Sequence, residues 1–391
     1  MKKLFFLKAM TVALAVSVFT ACKNDDTDFS SYTDKTSTST SASETPVAED
    51  AIKVIYIAYS GNSVTVSGDD ANYVTVNGAD VTVAGEIDSL LLVLSGSTAD
   101  GSLLVNRQKK YGIRLNGVSI TNAEGPAINN QCSKYLYLEV AGGTANTLSD
   151  GTTYTEQEYD QKGALFSEGE ICFYGTGTLN VTGNCKHAIA CDDFITIDDA
   201  LTLNVSSPTG SGIKVNDGLW INNGTIDISV TADAARGIRC DSVVVINGGT
   251  TTITTSGDCV YDSEAADYSS AACIKCDHPF TMTGGSLTMT SSGDGGKGIN
   301  CSSDIILRGG TLVATTTGGN DNGKPKAIKS DTGIIVSGGS FRATVDKSWA
   351  CDNGYGDDTT SDAEKLANCI TVEGSPTTKD IQKKSVTIIY N

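Results

Sequence analysis

Residues 236–249 read RGIRCDSVVVINGG, and close variants return at 211–224 (SGIKVNDGLWINNG), 272–285 (ACIKCDHPFTMTGG), 297–310 (KGINCSSDIILRGG) and 326–339 (KAIKSDTGIIVSGG). Looser copies precede them at 163–175 (GALFSEGEICFYG) and 187–198 (HAIACDDFITID). The aligned apolar residues are Leu165, Ile189, Ile213, Ile238, Ile274, Ile299 and Ile328, spaced by 24, 24, 25, 36, 25 and 29 residues. The regular value is 24 or 25, and the longer ones carry insertions. Apolar residues within the phrase alternate with period two, the mark of short strands with one face buried. From Ile238 the inward series is Ile238, Cys240, Val244 and Ile246, then Thr251 and Ile253 beyond the Gly248-Gly249 corner. The coil opening at Ile274 repeats it as Ile274, Cys276, Phe280, Met282, Leu287 and Met289. A repeat this short does not hold the four strands of a propeller blade. It does hold three strands and their corners. The fold predicted is all-β, a right-handed parallel β-helix in which successive coils pair along the backbone about 4.8 Å apart.

No helical periodicity is seen along the chain. From Ile52 to about Ser149, short runs such as Val64-Thr65-Val66, Val74-Thr75-Val76 and Val81-Thr82-Val83 are less regular. Residues 51–149 are therefore expected to form a β cap with the first imperfect coils, and 150–391 the regular helix. Solenoid ends need such caps, since an uncovered strand edge invites pairing. A closing strand is expected from Lys384 to Tyr390.

The phrases GIRLNGVSIT, at 112–121, and ANTLSDGTTY, at 145–154, together with the recurring GIK…I-x-GG, resemble a family of extracellular carbohydrate-binding β-helix proteins with a pectate-lyase-like fold. The likeness runs from about Ile52 to the end, and Asn146 to Gly151 is its most distinctive piece. What the resemblance implies is binding of cellulosic or acidic, pectic polysaccharide, with calcium and without cleavage.

The chain opens as an exported bacterial protein does: Lys2, Lys3 and Lys8, an apolar run from Ala9 to Phe19, then Phe19-Thr20-Ala21-Cys22. A signal of this length is removed and is no membrane span. The small residue before Cys22 resembles a lipobox, so residues 1–21 are expected to be cleaved and Cys22 lipidated. Lys23-Asn24-Asp25-Asp26 resembles the charged tag that directs some lipoproteins to the outer face. Residues 22–50, Ser/Thr-rich, suit a tether. The expected location is a lipid-anchored place on the outer membrane, exposed at the cell surface. Net charge is −18, and losing the three signal lysines takes it to −21. Such a surface repels nucleic acid and anionic membrane, which leaves the lipid anchor as the one membrane contact expected. The chain is expected to be a monomer.

Stacking turns a pattern of single residues into rows. One position after the aligned isoleucine stand Lys214, Arg239, Lys275 and Lys329; three after it stand Glu168, Asp192, Asn216, Asp241, Asp277 and Asp331. Both rows face outward. They either compensate one another as ordinary surface pairs or form a polysaccharide track. A further row, at the corner after the third strand, comprises Asp233, Asp258, Asp294 and the displaced Asp321. Carboxylates stacked one coil apart repel, and calcium would relieve them; equally, Asp suits Gly-rich turns for its own sake.

Insertions at 141–162, 258–272, 318–326 and 346–367 are expected to leave one and the same corner and build a rim. Three carry paired aromatics: Tyr154 with Tyr159, Tyr261 with Tyr268, Trp349 with Tyr355. Flat amphipathic rings stack on sugars, and they also anchor loops. Trp220, outward on the second strand, is a separate candidate. Cys191, Cys240, Cys276 and Cys301 fall two positions after the aligned isoleucine and are expected inside as a small-residue ladder. Cys259 with Cys273 and Cys351 with Cys369 bracket acidic insertions, as loop-closing disulfides would in an oxidising compartment.

Evidence for catalysis is thin. His187 and His278 are the only histidines and have no serine or cysteine arrangement around them. The enzymatic alternative is a calcium-dependent polysaccharide lyase, with Arg236, Arg239 or Lys275 abstracting a proton beside Asp233 and Asp258. The other alternative is a structural or adhesive rod. The expected function is polysaccharide binding without catalysis.

Overall fold

The row of aligned apolar residues predicted from the repeat is a hydrogen-bonded ladder. In a computed structural model, which describes residues 52–357 and 359–391, Leu165 pairs with Ile189, Ile189 with Ile213, Ile213 with Ile238, Ile238 with Ile274, Ile274 with Ile299 and Ile299 with Ile328, all in parallel register. The row also runs past both ends of the recognised phrases, through Val81, Leu103 and Ile128 before Leu165 and to Cys351 after Ile328. Cys22, the signal and the tether lie outside the described residues.

The chain makes a solenoid of about 11 turns, nearly all β. A coil such as 236–255 contributes the strands Arg236–Cys240, Val243–Ile246 and Thr250–Thr255. Strands of the first kind form a 12-stranded sheet, called here the first face. The second and third kinds build two further ladders. These merge near the N-terminal end because one long strand, Tyr111–Asn122, pairs with Leu136–Val140 by its first half and with Ala145–Asp150 by its second.

Inside the coils the aligned residues meet in one continuous core, with Ile213, Ile238, Ile274, Ile299, Phe280 and Phe341 at or near zero exposure. Each such side chain taken from water contributes roughly 1.5–3 kcal/mol. Cys191, Cys240, Cys276 and Cys301 are inside as expected, and the last three are direct partners in consecutive coils.

Both ends reverse direction. Ser63–Gly68 lies antiparallel on Lys53–Ser60, and Val74–Asn77 lies antiparallel on Asp80–Ala84. At the other end Ser385–Ile389 closes the third ladder antiparallel to Ser340–Val345 and is itself flanked antiparallel by Thr378–Ile381.

Three expectations need correction. Residues 145–150 of the supposed first insertion are a strand of the coil, so the excursion is 151–162. The last insertion leaves a different corner from the others, because the strand Trp349–Asp352 precedes it and it returns to Thr371–Val372 on the second ladder. It also contains a helix, Asp362–Asn368, which the strand periodicity gave no reason to expect. Ser361 caps that helix by accepting the Glu364 N–H, with Asp362 and Glu364 in its first turn, the arrangement that favours a helix start.

Candidate functional site

The first face carries the outward cation row in unbroken register: Lys214 beside Arg239, Arg239 beside Lys275, then Asn300 and Lys329. Each cation is paired with the acidic row. Lys275 reaches Asp277 at 2.9 Å, Lys329 reaches Asp331 at 2.7 Å, and Lys214 and Arg239 share Asp241. The pairs are largely solvated, so each is worth under about 1 kcal/mol. Their effect is a strip of alternating donors and acceptors on consecutive coils. Of the two readings of these rows, the ion pairs are the mutual compensation of ordinary surface charges.

A second cation row flanks it, comprising Arg236, Lys297 and Lys326. These are occupied from above. The hairpin Val260–Asp262 and Asp267–Ser269 belongs to the 258–272 excursion, which is fastened to the row: Arg236 donates to Ser269 Oγ at 2.8 Å and to the Ala234 carbonyl, and Lys297 donates to Ser270 Oγ at 2.6 Å and to the Gly295 carbonyl at 3.1 Å. Lys326 pairs with Asp352 at 2.7 Å. Burial of Lys297, with Lys329 and Lys326 nearby, pushes its pKa down to about 8.

The aromatics divide. Tyr261 and Tyr268 face each other across the hairpin, 5.3 Å apart and edge to face, and are 54% and 38% exposed. Tyr355 is 43% exposed and donates to Glu364. These three are available to a ligand. Tyr154 is a loop anchor, donating to Asp150 at 2.7 Å beneath the Lys186 ammonium. Trp349 lies half-buried under Lys383, and Trp220 packs edge-on against Phe194. Tyr159 lines a cavity described below. The expected rim of six equivalent rings is therefore not formed.

The acidic corner row has a function of its own. Asp233 accepts the Asp258 N–H at 2.8 Å, Asp258 accepts the Asp294 N–H at 2.7 Å, and Asp294 accepts those of Asp321 and Asn322 at 3.1 and 2.9 Å. Each carboxylate caps the backbone of the next coil. The glycine before it belongs to the same device: a Cβ at Gly257 would meet the Ala232 carbonyl oxygen at 1.9 Å, and one at Gly293 would meet that of Gly257 at 1.9 Å. Gly lets the corners approach and Asp ties them. Among the described residues, the one acidic trio whose oxygens converge within 4.8 Å is Asp160, Glu168 and Asp192, none of them in the corner row. The Lys162 ammonium already sits between Asp160 and Asp192. The corner carboxylates thus do not fit the calcium site expected of them. As a check, Asp294→Ala should lower the denaturant midpoint by the equivalent of about 1–2 kcal/mol, and should do so equally with calcium or chelator present.

The expected disulfides are not formed. All four cysteines are free. Cys273 points into the core toward Thr255 and the Ile253 and Thr290 carbonyls, while Cys259 rests against Gly295 and Gly323. Cys351 and Cys369 are both buried, and burial, with the Cys369 thiol nearby, pushes the Cys351 pKa well up.

The distinctive NTLSDG phrase is structural. Asn146 is fully buried and accepts the N–H groups of Gly117 and Val118, while Asp150 accepts those of Asn184 and Cys185. His187 accepts the Ser211 N–H through Nδ1, and burial beside Lys214 and Arg239 lowers its pKa to about 4, so it stays neutral at physiological pH.

One group of residues was not anticipated. The 151–162 excursion crosses the outer surface of the first coils and encloses, against the strands Asp80–Ala84 and Ser102–Asn106, a cavity of about 330 Å³. The extended register from Val81 through Leu103 to Ile128 would have placed these polar residues together, but the spacing there is interrupted and the repeat is hard to see.

A family model described as carbohydrate-binding domain-containing protein matches residues 77–236 and 229–323, more than half of the chain. The chain belongs to this carbohydrate-binding family. A carbohydrate-binding domain-containing protein of Acetivibrio thermocellus is 30% identical over 112 residues, which are 27% of this chain and 39% of that relative; the match thus spans about two fifths of the relative's length. A solved structure described as the polysaccharide lyase-like protein from C. thermocellum, in a gadolinium derivative, superposes with a TM-score of 0.52 at 23% identity, covering 66% of this chain and 97% of that one. That likeness is one of fold. Carbohydrate binding thus agrees with what the family resemblance implies, and the parallel β-helix with the expectation from the repeat.

Proposed function

We propose that the chain is a lipid-anchored surface module that holds polysaccharide along the first face without cleaving it. The observation that carries this reading is the in-register strip of paired cations and carboxylates from Lys214 to Lys329. Sugar hydroxyls both donate and accept, and a row that offers both at each coil is matched to a polymer of them. Tyr261 and Tyr268 flank the strip and supply flat apolar faces. Family membership supports the ligand class. The absence of cleavage is supported by the state of the basic residues a lyase would use: Arg236 is engaged by the hairpin, Arg239 by Asp241 and Lys275 by Asp277. No step is assigned to calcium. Cys22, outside the described residues, would hold the rod to the outer membrane as a monomer.

The test is affinity electrophoresis through gels containing cellulosic or pectic polymers. The wild-type chain should be retarded by at least one, and the Arg239→Ala/Lys275→Ala variant should lose at least tenfold in affinity at an unchanged denaturant midpoint. Absorbance near 235 nm should stay flat with added calcium. Free migration through every polymer would overturn the reading, and a rising absorbance would replace it with the lyase.

A further inference from the structure

The cavity under the 151–162 excursion lies away from the paired strip and differs from it in charge. Asp80, Asp100 and Glu124 line it, and no lysine or arginine does. Four carboxamides contribute: Asn122, Asn129, Gln157 and Gln161. The single aromatic ring is that of Tyr159.

Its walls are held in place. Tyr159 OH accepts from Asn106 at 3.0 Å, Asn129 donates to the Asp160 carbonyl at 3.1 Å, and Thr155 meets Glu124 through both its backbone N–H and its hydroxyl, at 2.8 and 3.0 Å. These bonds tie the excursion to two successive coils and the corner between them. By contrast the Gln157 and Gln161 side chains and the Thr82 hydroxyl, also in the lining, make no hydrogen bond to another described residue. A fixed frame with unused donors and acceptors is what a preorganised polar binding site requires, since little ordering remains to be done when the ligand arrives.

The chemistry selects the ligand. Carboxamides and carboxylates pair with hydroxyl groups in both directions, and one ring offers a stacking face. Three carboxylates with no cation among them repel an anion. The volume is at the lower end of the ~300–1,000 Å³ usual for ligand sites, which suits the few sugars at the end of a glycan.

We infer that this cavity is a second carbohydrate site, specific for the end of an uncharged glycan, with Gln157, Gln161 and Thr82 as its hydrogen-bonding groups and Tyr159 as its platform. The inference rests on the polysaccharide-binding reading above, and adds to it a place and a ligand class that the paired strip does not supply.

Calorimetric titration of the mature chain with uncharged tetrasaccharides (cello-, xylo- and manno-series) and with tetragalacturonate tests it. At least one uncharged tetrasaccharide should bind and tetragalacturonate should not compete with it. Gln157→Ala/Gln161→Ala should weaken that binding at least tenfold at an unchanged thermal midpoint, because neither side chain supports the fold. Thr82→Tyr, which fills the cavity from a strand, should do the same. The Arg239→Ala/Lys275→Ala variant should keep it. Uncharged-glycan binding insensitive to both cavity variants would overturn the inference, as would binding confined to the anionic sugar. If no tetrasaccharide binds while polymers still retard the chain through the strip, the cavity site is wrong and the proposed function stands. If nothing binds in either assay, both fall.

Discussion

Asn146→Ala should destabilise the protein by roughly 1–3 kcal/mol, the cost of one buried backbone donor left without a partner. Its carboxamide oxygen accepts two backbone donors, the N–H groups of Gly117 and Val118 at 2.9 and 3.0 Å, and its nitrogen donates to Thr144 Oγ1 and the Thr178 carbonyl. The donors belong to the long strand Tyr111–Asn122 at a point where it bulges. Gly117 has φ +73°, and the register with Leu90–Thr98 shifts by one residue there. A bulge leaves ladder groups without strand partners, and Asn146 supplies one for both. Alanine would strand the buried Val118 N–H, costing about 1–3 kcal/mol, while the Gly117 N–H, on an exposed residue, can turn to water. Equilibrium denaturation is the check, and a loss below about 1 kcal/mol would mean that the bulge is satisfied by other means.

Lys297→Met should change how stability depends on pH. The folded pKa of Lys297 lies near 8, chiefly through burial and secondarily through Lys329 and Lys326, against 10.5 for the free side chain. A base depressed in the folded state binds its proton less readily there than in the unfolded chain. The unfolded state therefore holds more protons between pH 8 and 10.5, and stability rises with pH across that interval. The contribution is fully present above about 10.5 and is lost as pH falls through about 8. At about 1.4 kcal/mol per pH unit, the wild type should gain roughly 3 kcal/mol on Lys297→Met over the interval. Other titrating groups are common to both proteins and cancel in the difference. Parallel pH profiles for the two would show that Lys297 is solvated.

The fold was legible because the solenoid repeats one decision many times. Ile213, Ile238 and Ile274 each have a weak local preference, yet their common phase admits one arrangement, and the structure adopts it. The earlier coils were harder to see. Val81, Leu103, Ile128 and Leu165 belong to the same row but stand 22, 25 and 37 residues apart, and the excursion before Leu165 hides the period. For that reason the cavity residues were missed.

Site residues were legible only as rows. Register placed Lys214, Arg239, Lys275 and Lys329 correctly because it is a backbone property. What each side chain does was not, because partners come from excursions that obey no period. Tyr154 and Tyr159 look alike in sequence; one is spent on Asp150 and the other faces a cavity. The aspartates at 233, 258 and 294 suggested a cation, whereas each already has a donor in the amide one coil further on. The cysteines flanking the excursions suggested bridges, but Cys273 sits on the inward side of its strand.

The reversed strands at the two ends bear on how closely copies of the chain can pack. A rod that offered a bare parallel edge would template the first coil of its neighbour, and crowding would then drive filaments. Here Ser63–Gly68 and Val74–Asn77, largely exposed and polar, run against the coil direction at one end, and at the other the reversed strand Ser385–Ile389 closes the third ladder beneath the exposed Thr378–Ile381. At the N-terminal end a second copy therefore finds opposed polarity where parallel continuation would need agreement. Dense packing on a surface is thereby compatible with each rod remaining separate.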